Sequence, residues 1–210
     1  KTTTLNCLGM YIPWHRRLLT VEDTAELQVY HDHWLRMETR RERPDGTPEV
    51  DMNDCLKSSL RMRPDRIIVG EVRGPEAATL LTAMNTGHDG SFGSLHANTA
   101  QETVTRMINP PMLVPPIMLS GLDLIIIQAR LHVNGKTARK ITEVAEIAGM
   151  EGDKPRLNII WKYNAATDQI EETGIPSKLR EIICTAAGVS PDVFERHVSQ
   201  RQAIIEDLAQ

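Results

Sequence analysis

The sequence predicts an α/β protein with a mainly parallel central sheet, followed by a small α+β portion. Short β-branched runs ending in carboxylates, Arg17–Glu22 (RLLTVE) and Asp65–Glu71 (DRIIVGE), are the mark of strands buried on both faces. Segments of helical periodicity alternate with them, which is the pattern of a wound α/β core. Beyond Gly149 the texture changes to a hairpin-like pair of strands and two helices.

Each element has a local reason. Thr2–Met10 carries Leu5 and Leu8 on one face and is stopped by Pro13. Leu27–Leu35 reads as extended or irregular, and Arg40–Val50, with Pro44, Gly46 and Pro48, as a charged loop. In Asp51–Arg63, Met52, Cys55, Leu56 and Leu60 fall at helical spacing behind Asp51 as N-cap. Pro75–Thr86 opens with Pro near N1 and Glu76 in the first turn, and Gly87 ends it. Ser91–His96 is a short strand, Ala100–Ile108 a helix, Met118–Ile127 helix or strand, and Ala138–Ile147 a strand. A loop at Gly149–Pro155 then divides residues 1–148 from residues 149–210. Asn158–Tyr163 and Gln169–Thr173 form the hairpin, and Ser177–Ala187 and Pro191–Leu208 the helices.

Composition narrows the function. The chain has 210 residues, 40% of them hydrophobic, with a formal net charge of -4, and that balance disfavours a nucleic-acid coat. No stretch approaches the ~18–20 apolar residues of a membrane span. Cys7, Cys55 and Cys184 form no CxxC pair, which suits a reducing compartment. The chain opens on Lys1-Thr2-Thr3-Thr4-Leu5 without a methionine, so it reads as cut from something longer.

Lys1-Thr2 before a helix matches the last two positions of a GxxxxGK[ST] P-loop, where Lys reaches phosphates and Thr binds Mg²⁺. Alone, the dipeptide says nothing. Glu71 stands at the tip of an apolar strand, where a carboxylate holds Mg²⁺ in phosphoryl transfer. Glu22 and Asp23 end a second such strand, with Glu26 nearby, and parallel strands open their carboxyl ends on one crevice. Glu22 is therefore placed to position or deprotonate a water. His88 follows the helix-ending Gly87 and His96 ends a short strand; either suits a hydrogen bond to a phosphate or to Glu71. Zinc fits less well, because no third ligand has the right spacing.

In this order, KTTTL, LLTVEDTAEL, LRMRPDRIIVGEVRGPEA and TGHDGSFGSLHANTA resemble the secretion-superfamily ATPases, which drive type II secretion, type IV pili, type IV secretion and the archaellum. The resemblance covers roughly residues 1–147. It implies a RecA-like P-loop NTPase core truncated within Walker A, with the Asp box, a Walker B ending in Glu and the His box. It further implies that Lys1 and Thr2 bind ATP and Mg²⁺, that Glu22 is the general base and that Glu71 is the Walker-B acid. His88 and His96 would be the His-box pair, and Arg63 and Arg73 the flanking arginines. NPPMLVPPIMLSGLDLIIIQAR and IIWKYNAATDQIEETG resemble the archaeal-type members. The P-loop glycines, the N-terminal domain and the tetracysteine metal module of bacterial members are not in the sequence.

The partners so implied are a homo-hexamer, a membrane platform protein, the chain's own N-terminal domain and no nucleic acid. The place is cytoplasmic, at the inner face of the membrane. Arg36, Arg40, Arg41 and Arg43, and Arg61, Arg63 and Arg66, cluster in the sequence and suit phosphate contacts across a subunit boundary. Two other readings stand beside the motor: a nucleic-acid translocase on the same core, and a non-enzymatic nucleotide-sensing scaffold.

Overall fold

A computed structural model of the chain describes residues 1–133, 135–152 and 154–208. Helix α1 (Thr2–Gly9) leads into strand β1 (Leu18–Glu22), then β2 (Trp34–Glu38), α2 (Met52–Leu60), β3 (Arg66–Val69), α3 (Glu76–Asn85), β4 (Phe92–Gly93) and α4 (Ala100–Ile108). A 3₁₀ turn (Pro116–Gly121) follows, then β5 (Leu124–Val133), β6 (Lys136–Glu151), β7 (Lys154–Asn164), β8 (Gln169–Glu172), α5 (Lys178–Ala187) and α6 (Pro191–Leu208).

The first four strands form one sheet in the order β2-β1-β3-β4, with every pairing parallel. Leu18 to Val21 lie opposite Arg66 to Val69, and all five residues of β1 are buried. Alternate side chains leave such a strand on opposite faces. Leu18 and Ile68 therefore pack with Leu5 and Ile12 of the α1 side, together with Leu27 and Val29. Val21, Ile67 and Val69 pack on the other side with Leu56 of α2 and Leu81 of α3. This two-sided burial is why the β1 and β3 segments read as continuous apolar runs.

Local chemistry sets the helix starts. Asp51 caps α2 by accepting from the Asp54 N–H at 2.7 Å, and Asp54 answers in a capping box. Thr99 caps α4 in the same way through the Glu102 N–H. Pro75 occupies the N-cap of α3 rather than its first helical position.

The second sheet, β5-β6-β7-β8, is antiparallel. Ile125, Ile127, Ala145 and Ile147 join the same apolar cluster as β3 and α3. The division expected at residues 148–149 is not a loop, because β6 runs through it from Lys136 to Glu151. A register shift between Ile147 and Gly149 leaves Ala148 as the extra residue of a bulge. Of the loop expected at Gly149–Pro155, Asp153 lies outside the described residues, and β7 begins at Lys154. The hairpin and both C-terminal helices are present.

Three other expectations are corrected. Trp34–Glu38 is an edge strand with mostly exposed side chains, so no apolar run announces it. The strand expected over Ser91–His96 shrinks to Phe92–Gly93. Met118–Ile127 is neither one helix nor one strand: the 3₁₀ turn ends at Gly121 and β5 begins at Leu124.

Ile68 is fully buried at the centre of the parallel sheet. Ile68→Ala is expected to lower the unfolding free energy by about 2–5 kcal/mol, read from the urea midpoint.

Candidate active site at the carboxyl rim

Parallel pairing places the ends of β1 and β3 side by side, and the candidate site is built on that rim. Beyond β3 come Gly70 and Glu71, and beyond β1 comes Asp23. Val72 N–H donates to the Ser94 carbonyl at 2.7 Å, and Ser94 Oγ donates to the Gly70 carbonyl at 2.6 Å. These bonds hold the Ser94–His96 segment against the end of β3. Helix α1 arrives from the other side, with Lys1 at its N-cap and no acidic residue in its first turn.

Four sequence candidates converge here. Glu71 Oε2 accepts from Arg73 Nη2 at 2.6 Å, Lys1 Nζ is 3.9 Å from Glu71 Oε1, and His96 Nε2 is 3.0 Å from that same oxygen. The His96 approach lacks hydrogen-bond alignment, so Glu71 Oε1 is a buried oxygen without a hydrogen-bond partner. The Arg73 hydrogen bond holds the Glu71 carboxyl below the usual glutamate range; burial opposes this, and the charges of Lys1, Arg73 and His96 add to it. Burial pushes the Lys1 ammonium below the ordinary lysine value, with Arg73 adding to the shift and Glu71 opposing it. Arg73 also reaches toward Asp23 Oδ2 at 3.6 Å.

Glu22 stands one layer behind. It is 4% exposed, and its Oε1 accepts the Glu26 N–H at 3.0 Å and the Leu27 N–H at 2.8 Å, while its Oε2 lies 3.8 Å from Arg36 Nη2. Through these bonds the Glu22 carboxylate, expected from the sequence to be the general base, pins the 23–27 loop. Gly70 makes the room: a Cβ there would sit 3.0 Å from Glu22 Cγ. The pinned loop delivers Glu26, whose Oε2 accepts from the Thr2 hydroxyl at 3.1 Å. Thr2 therefore meets Glu26, and no contact joins it to Glu71.

Two expected residues lie elsewhere. Arg63 precedes β3, and His88 lies between α3 and β4, so both fall at the amino rim of the parallel sheet, opposite Glu71. Ser91 Oγ, which donates to the His88 carbonyl, accepts the Ile67 N–H near the start of β3 and fixes His88 there. Arg63 adopts a left-handed backbone with φ 53° at the exit of α2.

The sequence reading passed over the acidic cleft beside Glu71. About 290 Å³ in volume, it is lined by Asp23, Thr39, Glu49, Asp51, Arg73 and Glu76, among others. Glu76, 5% exposed, folds back to accept the Arg73 N–H at 2.6 Å and the Gly74 N–H at 2.8 Å. A Glu in the first helical turn was the only signal for it.

The donor set fits a hard divalent cation. Glu71 Oε1 is unpartnered, and the Thr2 oxygen keeps lone pairs while it donates to Glu26. No group of three or more His, Cys, Asp or Glu among the described residues forms a metal site, so such an ion would draw further ligands from phosphate or water.

Residues 1–179 match the family model of the type II/IV secretion system protein. The chain belongs to that family. It is 34% identical over 210 residues to the uncharacterized protein MJ1287 of Methanocaldococcus jannaschii, covering 99% of this chain and 77% of that protein. To the conjugal transfer protein TrbB of Rhizobium radiobacter it is 39% identical over 138 residues, 63% of this chain and 39% of TrbB. The solved VirB11 ATPase of the Brucella suis type IV secretion system, in complex with sulphate, aligns at a TM-score of 0.57 and 28% identity, over 69% of this chain and 44% of that one. This secretion-family chain thus spans less than half of the TrbB and VirB11 chains that it matches. The VirB11 likeness agrees with the RecA-like α/β fold expected of residues 1–147.

Two consequences are measurable. Because its folded pKa is depressed, Glu71 contributes stability that is present above its unfolded pKa and lost as pH falls through its folded value. Arg73→Ala is expected to move the Glu71 titration upward, followed by carboxyl-carbon NMR, and to shrink the acid loss of stability. Gly70→Ala, which crowds Glu22, is expected to cost about 1–3 kcal/mol in urea denaturation.

Proposed function

We propose that this secretion-family chain is the ATP-hydrolysing part of a motor that powers protein secretion, conjugation or the assembly of a pilus or archaellum. The observation that carries the reading is the gathering of Lys1, Arg73 and His96 around the Glu71 carboxylate, at 3.9, 2.6 and 3.0 Å, on the carboxyl rim of a parallel sheet. Nucleotides bind at that rim in open α/β sheets. The N-terminus of α1 adds partial positive charge facing the same region. Family membership and the similarity to TrbB and to the VirB11 ATPase support the same conclusion.

The residues divide the work. Lys1 meets the phosphates, together with the amide groups that open α1. Thr2 and Glu71 would hold Mg²⁺, whose charge would offset that of the phosphates. Glu26 orients Thr2 by accepting the hydrogen bond of its hydroxyl, which leaves the oxygen lone pairs turned away. Glu22 holds the loop that presents Glu26. Glu71, whose Oε1 has no hydrogen-bond partner, orients the attacking water. His96 lies against Glu71 and carries a change at that carboxylate into the Ser94–His96 segment. Arg73 neutralises Glu71 and Asp23 until a phosphate draws it away.

In the complete protein we place this part in a homo-hexamer, against a membrane platform protein and at the cytoplasmic face of the membrane. None of the described helices is long and apolar enough to cross a bilayer. In the intact protein, Glu71→Gln is expected to lower ATP turnover by about 10²–10⁴-fold while ATP binding is retained, measured by steady-state hydrolysis and nucleotide titration. Near-normal turnover would remove Glu71 from the chemistry.

A further inference from the structure

Glu146 is a buried carboxylate that ATP hydrolysis does not use. It lies on β6 at 2% exposure, between Ala145 and Ile147 of the apolar core. Its oxygens point at the start of α5. Oε1 accepts from Ser177 Oγ at 2.5 Å and from the Leu179 N–H at 3.3 Å, and Oε2 accepts the Lys178 N–H at 2.7 Å. Ser177 is also the N-cap of α5, where its Oγ accepts the Arg180 N–H at 3.0 Å. A buried charge is tolerated only where hydrogen bonds and opposite charge meet it, and here the positive end of a helix does so.

The helices beyond have few other attachments. Cys184 is the one buried residue of α5, and α6 buries none of its described residues. Arg180 ties α6 to α5 through an ion pair with Glu195 and by lying over the Phe194 ring at 6.0 Å. On the other side, Thr173 is fastened to β7 by its N–H to the Ile160 carbonyl at 3.0 Å and its Oγ to the Ile159 carbonyl at 2.6 Å. Between these anchors lie Gly174, at φ +79° with no atom within 4 Å of a built Cβ, then Ile175 and Pro176. That is a short hinge with a fixed point on each side.

We propose that Glu146 is the clasp of a detachable arm: α5 and α6 move as one unit about residues 174–176, and the Glu146 carboxylate on the α5 N-terminus holds the arm closed against the core. Ala145 and Ile147 belong to the core cluster and stay packed there when the arm opens, although Ile147 also borders Leu179 and Ile182 of α5. Ile182, Ile204 and Ile205 are already 48, 59 and 53% exposed, so opening loses little apolar burial from the arm. The clasp is then the main barrier to release.

Amide hydrogen exchange on the purified protein, read peptide by peptide, tests this. Glu146→Ala is expected to speed exchange over residues 178–208 by at least ~10-fold, as loss of hydrogen bonds to a charged acceptor implies. Amides of β3 and α4 should stay within about twofold of the parent. Glu146→Gln, which keeps one acceptor oxygen, should fall between the two. Ser177→Ala, an outward change that spares the core, should accelerate the same region by a smaller factor, and it decides the matter by the same comparison should Glu146→Ala not fold. Unchanged exchange over 178–208, or equal acceleration of arm and core, would overturn the proposal.

Discussion

The parallel pairing of β1 with β3 is the constraint on which the site depends. Leu18–Val21 lie in register with Arg66–Val69, so the chain leaves both strands at the same rim with Glu22 and Gly70-Glu71 abreast. That register is fixed from both faces, by Leu18 and Ile68 on the α1 side and by Val21, Ile67 and Val69 on the other. A one-residue slip would exchange the two sets and move each carboxylate to the wrong face. Apolar packing thus aims the polar chemistry.

From that pairing a relay of polar contacts follows. The absent side chain at Gly70 lets Glu22 lie close, Glu22 holds the 23–27 loop through two backbone amides, and the loop brings Glu26 to the Thr2 hydroxyl. Glu71 meets Lys1, Arg73 and His96 instead. Carboxylates that look alike in the sequence have different tasks because their surroundings differ. One is buried and fully bonded; the other keeps a bare oxygen beside three cationic or titratable groups.

The second sheet shows where local reading fails. Glycine and polar residues after Ala148 look like a boundary, yet β6 continues through them because its cross-strand partner β7 satisfies the backbone and a bulge takes up the extra residue. In the sequence Glu146 is one of three acids in β6. Its partners, Ser177 to Leu179, lie about thirty residues away, and no periodicity could have joined them.

By itself the sequence determined the α/β class, the central strands β1 and β3, the helices, the Asp51 cap of α2 and the family. These rest on local matters: β-branched runs, helical spacing, capping side chains and motif order. It also singled out Lys1, Glu71, Arg73 and His96, each adjoining a strand tip or helix start, and the fold brings these four together. Only the tertiary structure decided that Arg63 and His88 stand at the opposite rim, that Glu22 anchors a loop and that Glu26 serves Thr2. The reason is geometric: linear order does not show which end of a strand or helix a neighbouring residue will occupy until the elements pack. Hydrogen-bond partners far apart in sequence are chosen only then.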